Sequence, residues 1–117
     1  MTELEEVFRT YNHRYFGGRL PNCEVVWSSP KKKFLGHFVP VEHYIQKSDG
    51  TEQTVRITYL IEISRRLKFS NKLWGATLLH EMVHLKLRGK EGKSDHGHKF
   101  QREMKRLVKL GAFNGLW

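Results

Sequence analysis

The chain has 117 residues, 38% of them hydrophobic, a mean hydropathy of −0.59 and a formal net charge of +9. That length fits a single domain over residues 1–117, with one core and no disulfide framework, because Cys23 is the only cysteine. No apolar run approaches the roughly 20 residues of a membrane span, the acidic start Met1–Arg9 is not a signal peptide, and the lone cysteine excludes a Cys-based structural zinc site and suits a reducing, cytoplasmic compartment.

Thr2-Glu3-Leu4-Glu5 reads as a capping box, with Thr2 as N-cap and Glu5 as its partner. Leu4, Val7, Phe8, Tyr11 and Tyr15 follow at helical spacing, which predicts a first helix to about Phe16, ended by Gly17-Gly18. Leu20-Pro21-Asn22 turns into a short strand, Glu24–Trp27, and Ser28–Lys33 is a polar, basic loop. Phe34–Ile45 reads as mostly extended, with Pro40 marking an edge or a bulge. Ser48-Asp49-Gly50 is a turn signal and Thr54–Ile63 is rich in β-branched residues, so these two segments are expected to pair as an antiparallel hairpin.

A second helix, capped by Ser70 or Asn71 and ended by Gly89, is apolar nearly all round. Such a helix is buried on two sides, here between a sheet and other helices. Lys86–Lys93 reads as a basic, Gly-containing loop. Ser94 or Asp95 then caps a last helix, ended by Gly111, whose core stripe is Phe100, Met104, Leu107 and Val108.

Within the second helix lies His80-Glu81-Met82-Val83-His84, an H-E-x-x-H pattern. On a helix, positions i and i+4 project from one face about one turn apart, so two imidazoles can hold one Zn²⁺ from the same side. Glu81 sits about 100° round the helix from His80, beside the metal but not needed as a ligand. That is the placement of a general base acting on water. The bland alternative is two structural histidines, but in so apolar a segment two uncoordinated imidazoles would need other polar partners.

His96 and His98 are the candidates for a third ligand. If the last helix has begun by residue 96, His96 lies one turn before Phe100 on the core-facing side, and His98 is turned about 200° from it towards solvent. This favours His96. Three imidazoles leave the fourth position of a tetrahedral zinc open, the mark of a catalytic rather than a structural site. His37 and His43 lie in strand-like segments and could sit near the cleft, but they, like His13, read first as surface or edge residues.

Charge is uneven. Residues 1–61 hold 8 Lys+Arg against 7 Asp+Glu, whereas residues 62–117 hold 13 against 5. A basic half of this kind can attract nucleic acid without sequence preference; the competing reading is a solvated surface that only aids solubility.

The chain resembles the SprT-like zinc metalloprotease family, of the bacterial SprT and Spartan protease-domain type. The likeness runs through Tyr15-Phe16-Gly17-Gly18-Arg19-Leu20-Pro21, Val25-Val26-Trp27-Ser28, the Gly36 strand and Ile61-Glu62-Ile63-Ser64-Arg65-Arg66-Leu67. Its most specific parts are Thr77-Leu78-Leu79-His80-Glu81-Met82-Val83-His84 and His96-Gly97-His98-Lys99-Phe100. The resemblance does not extend to a Cys-rich tail. It implies His80, His84 and His96 as zinc ligands and Glu81 as catalytic glutamate. The resulting expectation is an α+β, minimal zincin-like domain, in which a small antiparallel sheet packs on the buried motif helix between N- and C-terminal helices. The expected activity is zinc-dependent endopeptidase, one Zn²⁺ per chain, acting as a monomer on protein or peptide substrates that could include DNA-associated proteins. An extended substrate would add along the Phe34–Val39 edge. The alternative is a zinc-stabilised nucleic-acid or protein-binding module with little or no catalysis.

Overall fold

A computed structural model describes residues 1–88 and 96–116. The described chain runs α1 (Glu3–Tyr15), β1 (Glu24–Ser28), β2 (Gly36–Gln46), β3 (Glu52–Ser64), a 3-10 turn (Arg65–Leu67), α2 (Asn71–Leu87) and α3 (His98–Lys109). The class is α+β, as expected. None of the described helices is long and apolar enough to cross a membrane.

Local chemistry accounts for the first helix. The Thr2 hydroxyl accepts from the Glu5 amide at 3.2 Å and caps α1, a contribution of about 1 kcal/mol. Leu4 and Phe8 enter the core. At the other end the Gly18 amide reaches back to the Asn12 carbonyl at 2.9 Å. This closure needs the left-handed backbone of Gly17 and Gly18, at φ 62° and 71°.

The sheet departs from the expected all-antiparallel arrangement. Its order is β1-β3-β2: β2 pairs antiparallel with β3, but β1 runs parallel to β3, Val25 opposite Ile61 and Trp27 opposite Ile63. The hairpin occupies one edge of β3, so β1 takes the other edge, and its connection to β3 is long enough to cross over. Alternation along β1 specifies which side chains go inward. It carries no information on strand direction. The inward side chains meet α2: Ile61 and Ile63 are fully buried, and Trp27 packs edge-on against Trp74 with ring centroids 5.9 Å apart.

Ser70 caps α2, accepting from the Leu73 amide at 3.3 Å. Leu78, Leu79, Met82, Val83 and Leu85 are fully buried between the sheet and the other helices, as the apolar circumference predicts. The described helix ends at Leu87 with Arg88 as C-cap; Gly89, the expected stop, lies outside the described residues.

Two corrections concern α3. Its cap is Gly97, so it starts at His98, later than a cap at Ser94 or Asp95 would place it; those two residues lie outside the described ones. Val108, expected in the core stripe, is 54% exposed, while Glu103 is 7% exposed. Glu103 is admitted because it is paired: Lys86 Nζ donates to it at 2.7 Å and Arg106 donates at 2.6 Å through Nε. Burial alone would raise the Glu103 pKa, but these two cations hold it below the ordinary carboxylate value. Lys86 therefore belongs to the last turn of α2 and to this network, not to a loop.

Candidate metal centre

The α2 backbone places the first two imidazoles. His80 and His84 stand one turn apart with ring centroids separated by 5.1 Å. His96 brings a third ring to 5.1 Å from His80 and 5.2 Å from His84. One nitrogen of each ring lies within 4.8 Å of the other two. The His80 and His96 Nε2 atoms are 3.3 Å apart. Two nitrogens bound to one tetrahedral Zn²⁺ at their usual bond lengths are separated by about 3.3 Å, so this pair already has the spacing that a shared ion requires. Phe100 backs all three rings, at 5.0 Å from His80, 4.7 Å from His84 and 4.6 Å from His96.

The electrostatics suit a metal as well. Burial lowers the His80 pKa from 6.5 to about 4, and the neighbouring His84 and His96 push it the same way. At neutral pH the ring is therefore uncharged and its lone pair is available, the state that ligation demands. The donor set fits Zn²⁺: nitrogen ligands, three in number, on one side of an open cleft.

His96 reaches the cluster by a route that helix geometry did not foresee. It precedes the α3 cap, so it is not a helical residue one turn before Phe100. It approaches from the connection instead. His98, in the first turn of α3, is exposed and takes no part in the cluster.

Glu81 is buried, with its Oε2 at 4.0 Å from His80 Nε2. Over it passes the start of β2. A Cβ on Gly36 would lie 2.6 Å from Thr77 Cγ2, 3.0 Å from Glu81 Cγ and 3.1 Å from Glu81 Oε2. Glycine is therefore what lets the strand close on the carboxylate. Thr77 cannot yield easily, because its hydroxyl is tied to the Leu73 carbonyl at 2.9 Å. We expect Gly36→Ala to destabilise the fold by about 1–3 kcal/mol, as overpacking does. Chemical denaturation measures this, and an unchanged midpoint would refute the contact.

Gly36, His37 and Phe38 of β2 line one side of a cleft of about 350 Å³, with His80, Glu81, His84 and His96 on the other. The ring of His37, expected to be an ordinary edge residue, leans towards Glu62, with Nδ1 3.8 Å from Oε1. His43 lies out along the hairpin, where its ring bonds Thr58 at 2.9 Å, and His13 is exposed on α1. Neither approaches the cluster. Two residues already present in the stretches that carry the resemblance gain roles that the sequence reading did not assign: Gly36 over Glu81, and Phe100 behind the imidazoles. An isolated glycine in a strand pattern does signal close backbone approach, and that was the available hint.

A family model described as SprT-like matches residues 4–114, nearly the whole chain. A relative from Caenorhabditis elegans, the DNA-dependent metalloprotease dvc-1, is 32% identical over 116 residues. That match covers 96% of this chain but 29% of the relative, so the chain spans under a third of that protein's length. The chain belongs to the SprT-like family.

Proposed function

We propose that this SprT-like chain is a zinc-dependent endopeptidase that hydrolyses peptide bonds in proteins held on DNA. The observation that carries the reading is the convergence of His80, His84 and His96 nitrogens within 4.8 Å, with the Glu81 carboxylate beside them at 4.0 Å from His80. His80, His84 and His96 would hold the ion from one side. Zn²⁺ supplies Lewis acidity towards a water and a substrate carbonyl. Glu81 takes the proton of the attacking water on its carboxylate and delivers it to the nitrogen of the departing amine. Among the described residues β2 is an edge strand, with β3 on one side only, so an extended peptide can add along its free edge at Gly36–Phe38 and cross the cleft. The test is hydrolysis of unfolded and basic protein substrates by the zinc-loaded chain, with and without DNA. Absence of cleavage under every condition would sink the reading.

The DNA part of the reading draws on the relative's DNA dependence and on surface charge. Lys99, Arg102, Lys105, Arg106 and Lys109 fall within about 120° of the α3 circumference. This arc is opposite the buried Phe100 and Leu107. At its edge, Arg106 joins Arg19, Lys86 and Arg88 around a hollow of about 500 Å³. In the basic segment Lys86–Lys93, Lys86 is paired with Glu103, as Arg106 is, and Lys90 and Lys93 lie outside the described residues. Phosphate contacts release counterions, so we expect weak, sequence-independent binding that falls steeply with salt. Arg102→Glu with Lys109→Glu should flatten the salt dependence by about two units of slope. A titration of labelled single-stranded and duplex DNA checks both, and no binding at the lowest salt would remove nucleic acid from the reading.

The same charged face favours one rival, a zinc-stabilised binding module without catalysis. It predicts DNA binding and a bound zinc ion but no hydrolysis dependent on Glu81.

A further inference from the structure

Beside the histidine cleft lies a second hollow of about 420 Å³ for which metal chemistry gives no reason. Leu73, Ala76 and Thr77 of α2 form one wall. Met104 of α3 and Phe113 and Leu116 of the turn after it form another, with Leu35 at the rim. The hollow shares Gly36, His80 and Glu81 with the cleft, so the two are continuous. We propose that it is a specificity pocket that receives an apolar side chain from the substrate residue flanking the scissile bond. The proposal rests on the peptidase reading and names the kind of sequence that the enzyme would cut.

Three observations support it. Among the described residues, and apart from Glu81 and His80, which belong to the cleft, no charged or imidazole side chain lines the hollow. The Thr77 hydroxyl in the wall already donates to the Leu73 carbonyl, so a polar substrate side chain would lose hydration with little to replace it, whereas an apolar one would not. Next, Leu73 is 44% exposed and Leu35 is 55% exposed, at the mouth of the hollow. Apolar groups gathered in a concave surface continuous with a reactive site are what a ligand side chain covers. Last, the far wall is built by a deliberate reversal of the chain. Gly111 and Gly115 take left-handed backbone at φ 81° and 77°, and the Leu116 amide bonds the Phe113 carbonyl at 3.0 Å. Leu116 then docks over Gly75, where an added Cβ would find its Cδ2 at 3.6 Å.

In an apolar pocket one methylene changes kcat/KM by about 10–200-fold. Leu, Met or Phe at the flanking position should therefore be preferred over Ala by at least about tenfold, and over Asp by more. The experiment uses the zinc-loaded full chain in two arms. In the first, a mixed peptide library is digested and the cut sites are mapped by mass spectrometry. In the second, short peptide hydroxamates carrying Leu, Ala or Asp next to the zinc-binding group are titrated by calorimetry, which reads the pocket without hydrolysis. Both arms are repeated with Ala76→Phe, which fills the hollow, and with Leu73→Asp at the exposed rim, which remains informative if the first variant fails to fold. The expected result is an apolar preference at one fixed position that collapses in the variants. Cleavage without such a preference, or a preference untouched by both variants, overturns the pocket and leaves the peptidase. Selective hydroxamate binding without hydrolysis keeps the pocket and overturns the peptidase. Neither hydrolysis nor hydroxamate binding removes both.

Discussion

Glu81→Gln is expected to abolish hydrolysis while leaving the metal and the fold in place. Glutamine matches glutamate in size, so it fits the space between the helix and Gly36, where an extra Cβ would stand 3.0 Å from the side chain. Its amide can accept a hydrogen bond but cannot take a proton at neutral pH. General-base catalysis contributes about 10²–10⁴-fold, which corresponds to about 3–5 kcal/mol of transition-state stabilisation at 1.36 kcal/mol per decade. The loss should therefore appear in kcat, with KM little changed, because in the proposed mechanism Glu81 serves the reaction and not the holding of substrate. Zinc content and melting temperature of the variant should match the parent. This combination separates the peptidase from the binding module. In the module, parent and variant are equally inactive. A variant that cuts as fast as its parent would show that the proton goes elsewhere.

What could be read in advance divides along the range of the interactions involved. The helices were legible because their signals are local: Thr2 as cap, the 3.6-residue spacing of Leu4 and Phe8, and glycines just past the helix end. The hairpin was legible for the same reason, since Asp49 and Gly50 form a turn whose sequence names itself. The relation of His80 to His84 was legible because one helix contains both. Whatever depended on distant segments was not. The parallel direction of β1 follows from which edge of β3 the hairpin leaves open. Glu103 can be inside because Lys86, 17 residues earlier, joins Arg106 in supplying the buried carboxylate with partners. On charge alone, Val108 is the obvious choice for the interior. His96 joins the cluster by a path other than the expected one: helix phase pointed to it, yet it stands before the helix begins. The hollow beside the cleft was illegible because four separated stretches of chain build it, and none of them carries a recognisable pattern.

Removal of a single imidazole should release the metal and lower stability together. His84→Ala deletes a donor held rigidly by a buried helix, and His96→Ala deletes one that ties the start of α3 to α2. Either change leaves two nitrogens, too few to retain zinc against a chelator. The chain should nevertheless remain folded, because Leu78, Leu79, Met82 and Val83 bury α2 independently of any ion. What disappears is the linkage increment. An ion that binds the folded form alone contributes about 4 kcal/mol when its free concentration is a thousand times the dissociation constant. For a chain of this size that amounts to a fall of order 10–20 °C in Tm. Chelator added to the parent should lower its Tm by a similar amount and should leave the variants unmoved, since they have no ion to lose. His98→Ala serves as the control: its ring lies outside the cluster, so zinc content and Tm should equal those of the parent. Metal analysis after gel filtration, with a melt of each variant with and without chelator, gives a direct answer. Full zinc in His96→Ala together with depletion in His98→Ala would transfer the third ligand from one residue to the other.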